Sequence, residues 1–104
     1  MQRYAFKMHL VPGAAAEYQR RHDEIWPELA RLLTDSGIRN YSIFLDAETN
    51  VLYGYLERRA DHTMADLPRN PVMRRWWKHM ADLMRTEPDG TPVAIPIGEV
   101  FHLD

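Results

Sequence analysis

Twice in this chain an alternating apolar pattern gives way to a helical one and then returns, and this double switch restricts the possible folds more than any other feature. Tyr4, Phe6, Met8 and Leu10 alternate with Arg3, Lys7 and His9, the two-residue period of a strand. Pro12 and Gly13 break it. From Ala14 the spacing changes, and Tyr18, His22, Ile25, Leu29 and Leu32 or Leu33 recur as they would on one face of a helix. Glu17 and Arg21 support that helix as an (i, i+4) pair, and Gly37 after Ser36 stops it. Pro27 lies inside the pattern and predicts a kink just after His22, because proline removes one backbone hydrogen bond and clashes with the preceding turn. Strands are expected at about Ile38 to Leu45 and Val51 to Glu57, joined by a hairpin turn over Asp46 to Asn50. Asp61 to Leu67 reads as a short helix ending at Pro68. Asn70 as N-cap and Pro71 at the first helical position then open a helix with the apolar stripe Met73, Trp76, Trp77, Met80 and Met84. After the turn-rich Glu87 to Pro92, a last strand is expected from about Gly98 to Leu103.

Strand–helix–strand repeated is the order of an α+β, ferredoxin-like βαββαβ sandwich, with four antiparallel strands and helices on one face. A chain of 104 residues suits one domain, 1–104, with one modest core. The third strand is apolar on both faces, since Val51, Tyr53 and Tyr55 alternate with Leu52, Gly54 and Leu56. Helices on one side only would leave the second face wet, so a two-fold homodimer covering it is expected.

The charge balance narrows the function. Thirteen Lys and Arg against fifteen Asp and Glu give a net charge of −2, which leaves no electrostatic footprint for nucleic acid. The absence of cysteine excludes thiol nucleophiles, disulfides and cysteine-based metal sites, and fits the cytoplasm. Met1 to Leu10 lacks the apolar core of a signal peptide, and no stretch approaches the ~20 apolar residues that span a bilayer, so a soluble protein without a membrane partner is expected. No His-Glu-x-x-His spacing, phosphate loop, nucleophile elbow or dinucleotide fingerprint is present. What is left is proton transfer in an aromatic pocket, with no metal and no cofactor.

His22 is the candidate for that transfer, because imidazole titrates near neutrality and Tyr18 shares its helical face one turn earlier. Spacing alone favours a core histidine held by a backbone carbonyl. Trp76 and Trp77 point about 100° apart on a helix, so one can pack inside while the other lines a cavity mouth, where an indole suits the C–H face of a sugar. Both can also be structural. Tyr41, Tyr53 and Tyr55 add phenols from the hairpin, and His79, His9 and His102 are weaker candidates.

Glu17-Tyr18-Gln19-Arg20-Arg21-His22 followed by Ile25-Trp26-Pro27-Glu28-Leu29, the pair Asn40-Tyr41, the run Arg75-Trp76-Trp77-Lys78 and the ending Glu99-Val100-Phe101 before Leu103 together resemble the L-rhamnose mutarotase family, in order and across the whole chain. The resemblance implies a homodimer of ferredoxin-like subunits forming a dimeric α/β barrel. It implies His22 as proton donor, with Tyr18, Tyr41, Trp76 and Trp77 contacting L-rhamnose. Position 102 is His where relatives are also expected to carry Tyr, which blurs the pocket edge. Exchange of the α and β anomers needs the pyranose ring opened by a proton at the ring oxygen and loss of one from the anomeric hydroxyl. His22 is expected as the acid, with a tyrosine, a carboxylate or a water as the second group. Two alternatives share the architecture: a cofactor-independent monooxygenase acting on an aromatic substrate, and a non-catalytic sugar-binding module.

Overall fold

Strand β1 (Gln2–His9) pairs antiparallel on one side with β3 (Val51–Arg58) and on the other with β4 (Ile95–Ile97), while β2 (Ile38–Asp46) pairs with the far edge of β3. The resulting order, β2-β3-β1-β4, is the expected ferredoxin-like sheet. The computed structural model describes residues 1–104. No helix in it is long and apolar enough to cross a membrane.

The period-two pattern sorts the sheet into two faces. Phe6 and Met8 of β1 and Leu52 and Leu56 of β3 are buried on the inner face, toward the helices. There they meet Leu29 of α2 (Pro27–Asp35) and Met73, Trp76 and Met80 of α3 (Pro71–Met80) in one core. Each Leu or Met sealed in this way contributes roughly 1.5–3 kcal/mol of apolar burial. Asn70 caps α3 as expected, its side-chain oxygen accepting from the backbone N–H of Val72 at 2.9 Å. The outer face carries Tyr53 and Phe44, both exposed, with Ile95 and Ile97 of β4 registered opposite Lys7 and Ala5.

Gly54 is on the inner face because Phe6 requires it. A β-carbon there would sit 2.4 Å from Phe6 Cζ, and the ring is flanked by Tyr4 and Tyr41 at 5.7 and 6.2 Å between centroids. Gly54→Ala is therefore expected to destabilise the fold by about 1–3 kcal/mol through overpacking, measured by urea or thermal unfolding.

Strand β2 changes phase midway. Arg39 pairs with Glu57 and Ser42 with Tyr55, so Asn40 and Tyr41 together oppose the single residue Leu56. This is a β-bulge, and Asn40 takes the positive φ of 50° that asparagine tolerates better than most residues. Beyond the bulge the parity is inverted. Tyr41, Ile43 and Leu45 share the inner face with Ile38, and Phe44 falls on the outer face.

Four expectations are corrected. The first helix is two helices, α1 (Ala15–Asp23) and α2, separated at Trp26, whose ψ of 131° is extended. Pro27 does not kink a continuous helix. It restricts the preceding residue to extended conformations and starts α2 at the first helical position, where its missing N–H costs nothing. The segment before Asn70 is a 3₁₀ turn, Met64–Arg69, that runs through Pro68 instead of ending before it. The last strand is Ile95–Ile97 and not Gly98 to Leu103. Pro96 is accepted because β4 is an edge strand, where a missing N–H leaves no ladder bond unmade. Residues 98–104 form no regular structure, although Arg3 holds Glu99 at 2.6 Å. The helix carrying the tryptophans ends at Met80, and Met84 lies beyond a 3₁₀ turn (Ala81–Leu83), bridged to Leu10.

Candidate functional site

Between the helices and the inner sheet face lies a cavity of about 1280 Å³, lined by 35 residues of which 26 are hydrophobic. That exceeds the ~300–1,000 Å³ usual for a small-molecule site because the space extends along the whole helical layer. Its chemically distinctive end is where α1 faces α3.

His22 sits on α1 with its ring 4.3 Å from the Tyr18 ring and edge-on to Trp76 at 5.3 Å. Two features of its surroundings bear on the sequence readings of this histidine. Its Nδ1 is 3.0 Å from the backbone carbonyl of Tyr18, one turn back, as in a structural histidine. Yet the ring is only half-buried and lines the cavity. A carbonyl can only accept, so Nδ1 carries the proton and Nε2 of the neutral ring is left as a bare acceptor. Burial among rings holds the imidazole below its ordinary value of 6.5, with the Tyr18 carbonyl and the Asp23 charge pulling the other way. The neutral form is thus favoured near pH 7.

Tyr18 is buried in α1, and burial raises its phenol well above the ordinary tyrosine range. Across the cavity Tyr41 meets the Phe6 ring, and burial of its hydroxyl pushes it up to about 12, although the residue as a whole is 39% exposed. Both phenols therefore stay protonated at neutral pH and act as hydrogen-bond donors rather than as bases.

The Tyr18 and Tyr41 hydroxyls, Nε2 of His22 and the indole N–H groups of Trp76 and Trp77 make no hydrogen bond to protein. None of those on Tyr18, His22, Trp76 or Trp77 is sealed away without a partner either, so they open onto free space. Such a set of polar atoms in an apolar wall is what a small polyhydroxylated ligand requires.

Tyr18, His22 and Trp76 are brought into direct contact. Tyr41 faces them from the sheet. Trp77 stands apart: it lines the cavity but touches none of these rings, and its other side faces a groove beside Arg74, Lys78 and Asp89. Trp26, which the sequence reading does not single out for the site, and His79, one of its weaker candidates, both buttress Trp76, at 5.1 and 5.5 Å, and lie 5.5 Å from each other. The signal was present, with Trp26 one turn beyond His22 and His79 three residues after Trp76. Arg21 fixes the two helices together, donating to Glu17 at 2.7 Å, to Asp82 at 2.8 Å and to the His79 carbonyl at 2.6 Å. No three His, Asp or Glu side chains are grouped so as to hold a metal ion.

Residues 3–103 match the family described as L-rhamnose mutarotase. The chain is 59% identical over 103 residues to the L-rhamnose mutarotase of Jannaschia sp. (strain CCS1), covering 99% of each. It is 60% identical over 103 residues to that of Rhizobium meliloti (strain 1021), again covering 99% of each. Among solved structures, it superimposes on the crystal structure of L-rhamnose mutarotase FA22100 from Formosa agariphila with a TM-score of 0.94, at 44% identity and full coverage of both chains.

Proposed function

The chain belongs to the L-rhamnose mutarotase family, and from that premise we propose that it interconverts the α and β anomers of L-rhamnose with His22 as the proton-transfer group. The observation that carries the reading is the His22 ring, anchored by Nδ1 to a backbone carbonyl, with Nε2 free toward a cavity that also receives the free polar atoms of Tyr18, Tyr41 and Trp76.

The anomeric hydroxyl and the ring oxygen of a pyranose are bonded to the same carbon, so one nitrogen can serve both. Neutral Nε2 of His22 takes the proton of the anomeric hydroxyl. The ring C–O bond then breaks, the anomeric carbon becomes an aldehyde, and the imidazolium donates its proton to the former ring oxygen. Rotation of the aldehyde and the reverse transfers close the ring on the opposite face. No net proton or electron is gained or lost. Because the uncatalysed reaction already proceeds in water, the roughly 10²–10⁴-fold typical of one positioned acid–base group is sufficient. Tyr18 and Tyr41, held protonated, donate to sugar hydroxyls. Trp76 and Trp77, which both line the cavity, pack the ring and the methyl of the 6-deoxy sugar. A cysteine-free chain of this kind suits the cytoplasm.

Two copies are proposed to pack their outer sheet faces together as a dimeric α/β barrel. The apolar residues of that face support this, as do the exposed Val100, Phe101 and Leu103 beyond β4.

Polarimetry tests the activity: L-rhamnose freshly dissolved from crystals of one anomer should relax to its equilibrium rotation at a rate that grows in proportion to added protein. Relaxation at the buffer rate whatever the protein concentration would refute the proposal. The pH dependence follows from the bare Nε2. Protonation blocks its first step, so kcat/KM should fall as pH drops through the folded-state pKa of His22, with the half-point below 6.5, and stay level through neutrality. The same depression means that the unfolded imidazole binds protons more readily than the folded one. Its contribution to stability is therefore complete above pH 6.5 and lost on acidification through the folded-state value.

A further inference from the structure

We infer that Glu57, on the sheet face opposite the cavity, is a positioning residue for substrate binding: by fixing the bulge at Asn40 it aims Tyr41 into the site. The inference rests on the reading of Tyr41 as a sugar contact. Strand alternation would put Tyr41 on the same face as Arg39, away from the cavity, because the two differ by an even number of residues. Only the extra residue at Asn40 inverts the parity. Asn40 must hold a φ of 50°, a conformation that costs free energy unless its surroundings fix it.

Glu57 is the group that fixes it. One of its oxygens, Oε2, accepts from Asn40 Nδ2 at 3.1 Å and from the Tyr55 hydroxyl at 2.9 Å. The first bond ties the bulged side chain to the neighbouring strand. The second holds the carboxylate in place from two residues back on its own strand. Arg39, the residue before the bulge, is itself registered directly opposite Glu57, so the carboxylate acts at the point where the pairing shifts. On the inner side the result is the Tyr41–Phe6 ring contact at 6.2 Å, with Phe6 in turn seated over Gly54. A chain of contacts therefore runs through the sheet from Glu57 to the sugar-facing phenol, and Glu57 itself touches no part of the cavity.

The test compares Glu57→Ala, Glu57→Gln, Tyr41→Phe and the double variant Glu57→Ala/Tyr41→Phe in anomer exchange. Glu57→Ala should raise KM by about three- to tenfold with kcat within about twofold, the pattern of lost uniform binding. Glu57→Gln retains an oxygen acceptor for both donors and should return KM to within about twofold of wild type. The double variant should match Tyr41→Phe, because a residue that acts only through Tyr41 has nothing further to lose. A KM unchanged in Glu57→Ala, or losses that add in the double variant, would overturn the inference. A second measurement stands apart from turnover: the nuclear Overhauser contacts between the Tyr41 and Phe6 rings should persist in Glu57→Gln and weaken or vanish in Glu57→Ala. Their survival in Glu57→Ala refutes the positioning role even if the chain has no effect on rhamnose, an outcome that would refute the activity separately.

Discussion

Replacing His22 by alanine is expected to reduce the acceleration of anomer exchange by about 10²–10⁴-fold, the whole contribution of one acid–base group, while the chain stays folded. The effect is large because neither phenol of the site can take over as the base. Tyr18 and Tyr41 are held protonated by burial, so neither offers a base near pH 7. His79 packs against Trp26 and Trp76 and is not among the residues that line the cavity. The fold should tolerate the change, since His22 is half-buried and its one hydrogen bond is to a carbonyl of its own helix. Circular dichroism and the thermal midpoint of His22→Ala should therefore stay close to wild type while exchange falls. Retained activity would show that the proton passes elsewhere.

Phe44→Glu should convert the proposed dimer to a monomer, weakening association by about 2–4 kcal/mol or roughly 30- to 1,000-fold in Kd. Phe44 is 66% exposed in the single chain and faces outward only because the bulge at Asn40 shifts the parity of β2. It stands opposite Tyr53 in the ladder, on the edge strand β2, as part of the apolar surface that a lone subunit leaves wet. A dimer would bury the phenyl ring, so a carboxylate there would lose both its hydration and any partner. In the monomer the same carboxylate would be solvated, so the subunit fold should be little affected. Sedimentation velocity at micromolar concentration should give a dimer for wild type and a monomer for Phe44→Glu. A wild-type monomer, or a variant that stays dimeric, contradicts the proposal.

How far the fold could be read depended on whether the deciding interaction was local. Asn70 and Pro71 set the start of α3 through a side-chain cap and a fixed φ, both available in consecutive residues. The hairpin between β2 and β3 was equally local, with Asn50 at a φ of 59° ending the turn. The division of the first helix was obscured because helical spacing runs on from Tyr18 and His22 to Trp26. The restriction that Pro27 places on Trp26 was the cue that the apolar stripe concealed. Strand β4 is hard to place from sequence because a proline, Pro96, fits a strand only at a sheet edge, and being an edge is a property of the assembled sheet. The bulge had a trace, since Ile38 and Tyr41 are three apart where alternation requires an even step, but the direction of Tyr41 depends on the bond between Asn40 and Glu57, seventeen residues apart.

The site shows the same division. Spacing put Tyr18 and His22 on one face but could not separate an interior imidazole from one at a cavity. The resemblance of the motifs to a family favoured the second, and the ring is in fact held by a backbone carbonyl and open to the cavity at once. The support given by Trp26, His79 and Arg21 depends on α1 meeting α3, a long-range contact that no periodicity encodes.

The central claim is that the free nitrogen of His22 carries protons between two oxygens of one sugar carbon. Saturation-transfer NMR at anomeric equilibrium measures that exchange directly: irradiating the α H1 signal of L-rhamnose should attenuate the β H1 signal increasingly as wild-type protein is added. With His22→Ala at the same concentrations the attenuation should return nearly to the protein-free level. Equal attenuation by the two proteins, or none by wild type, would contradict the account.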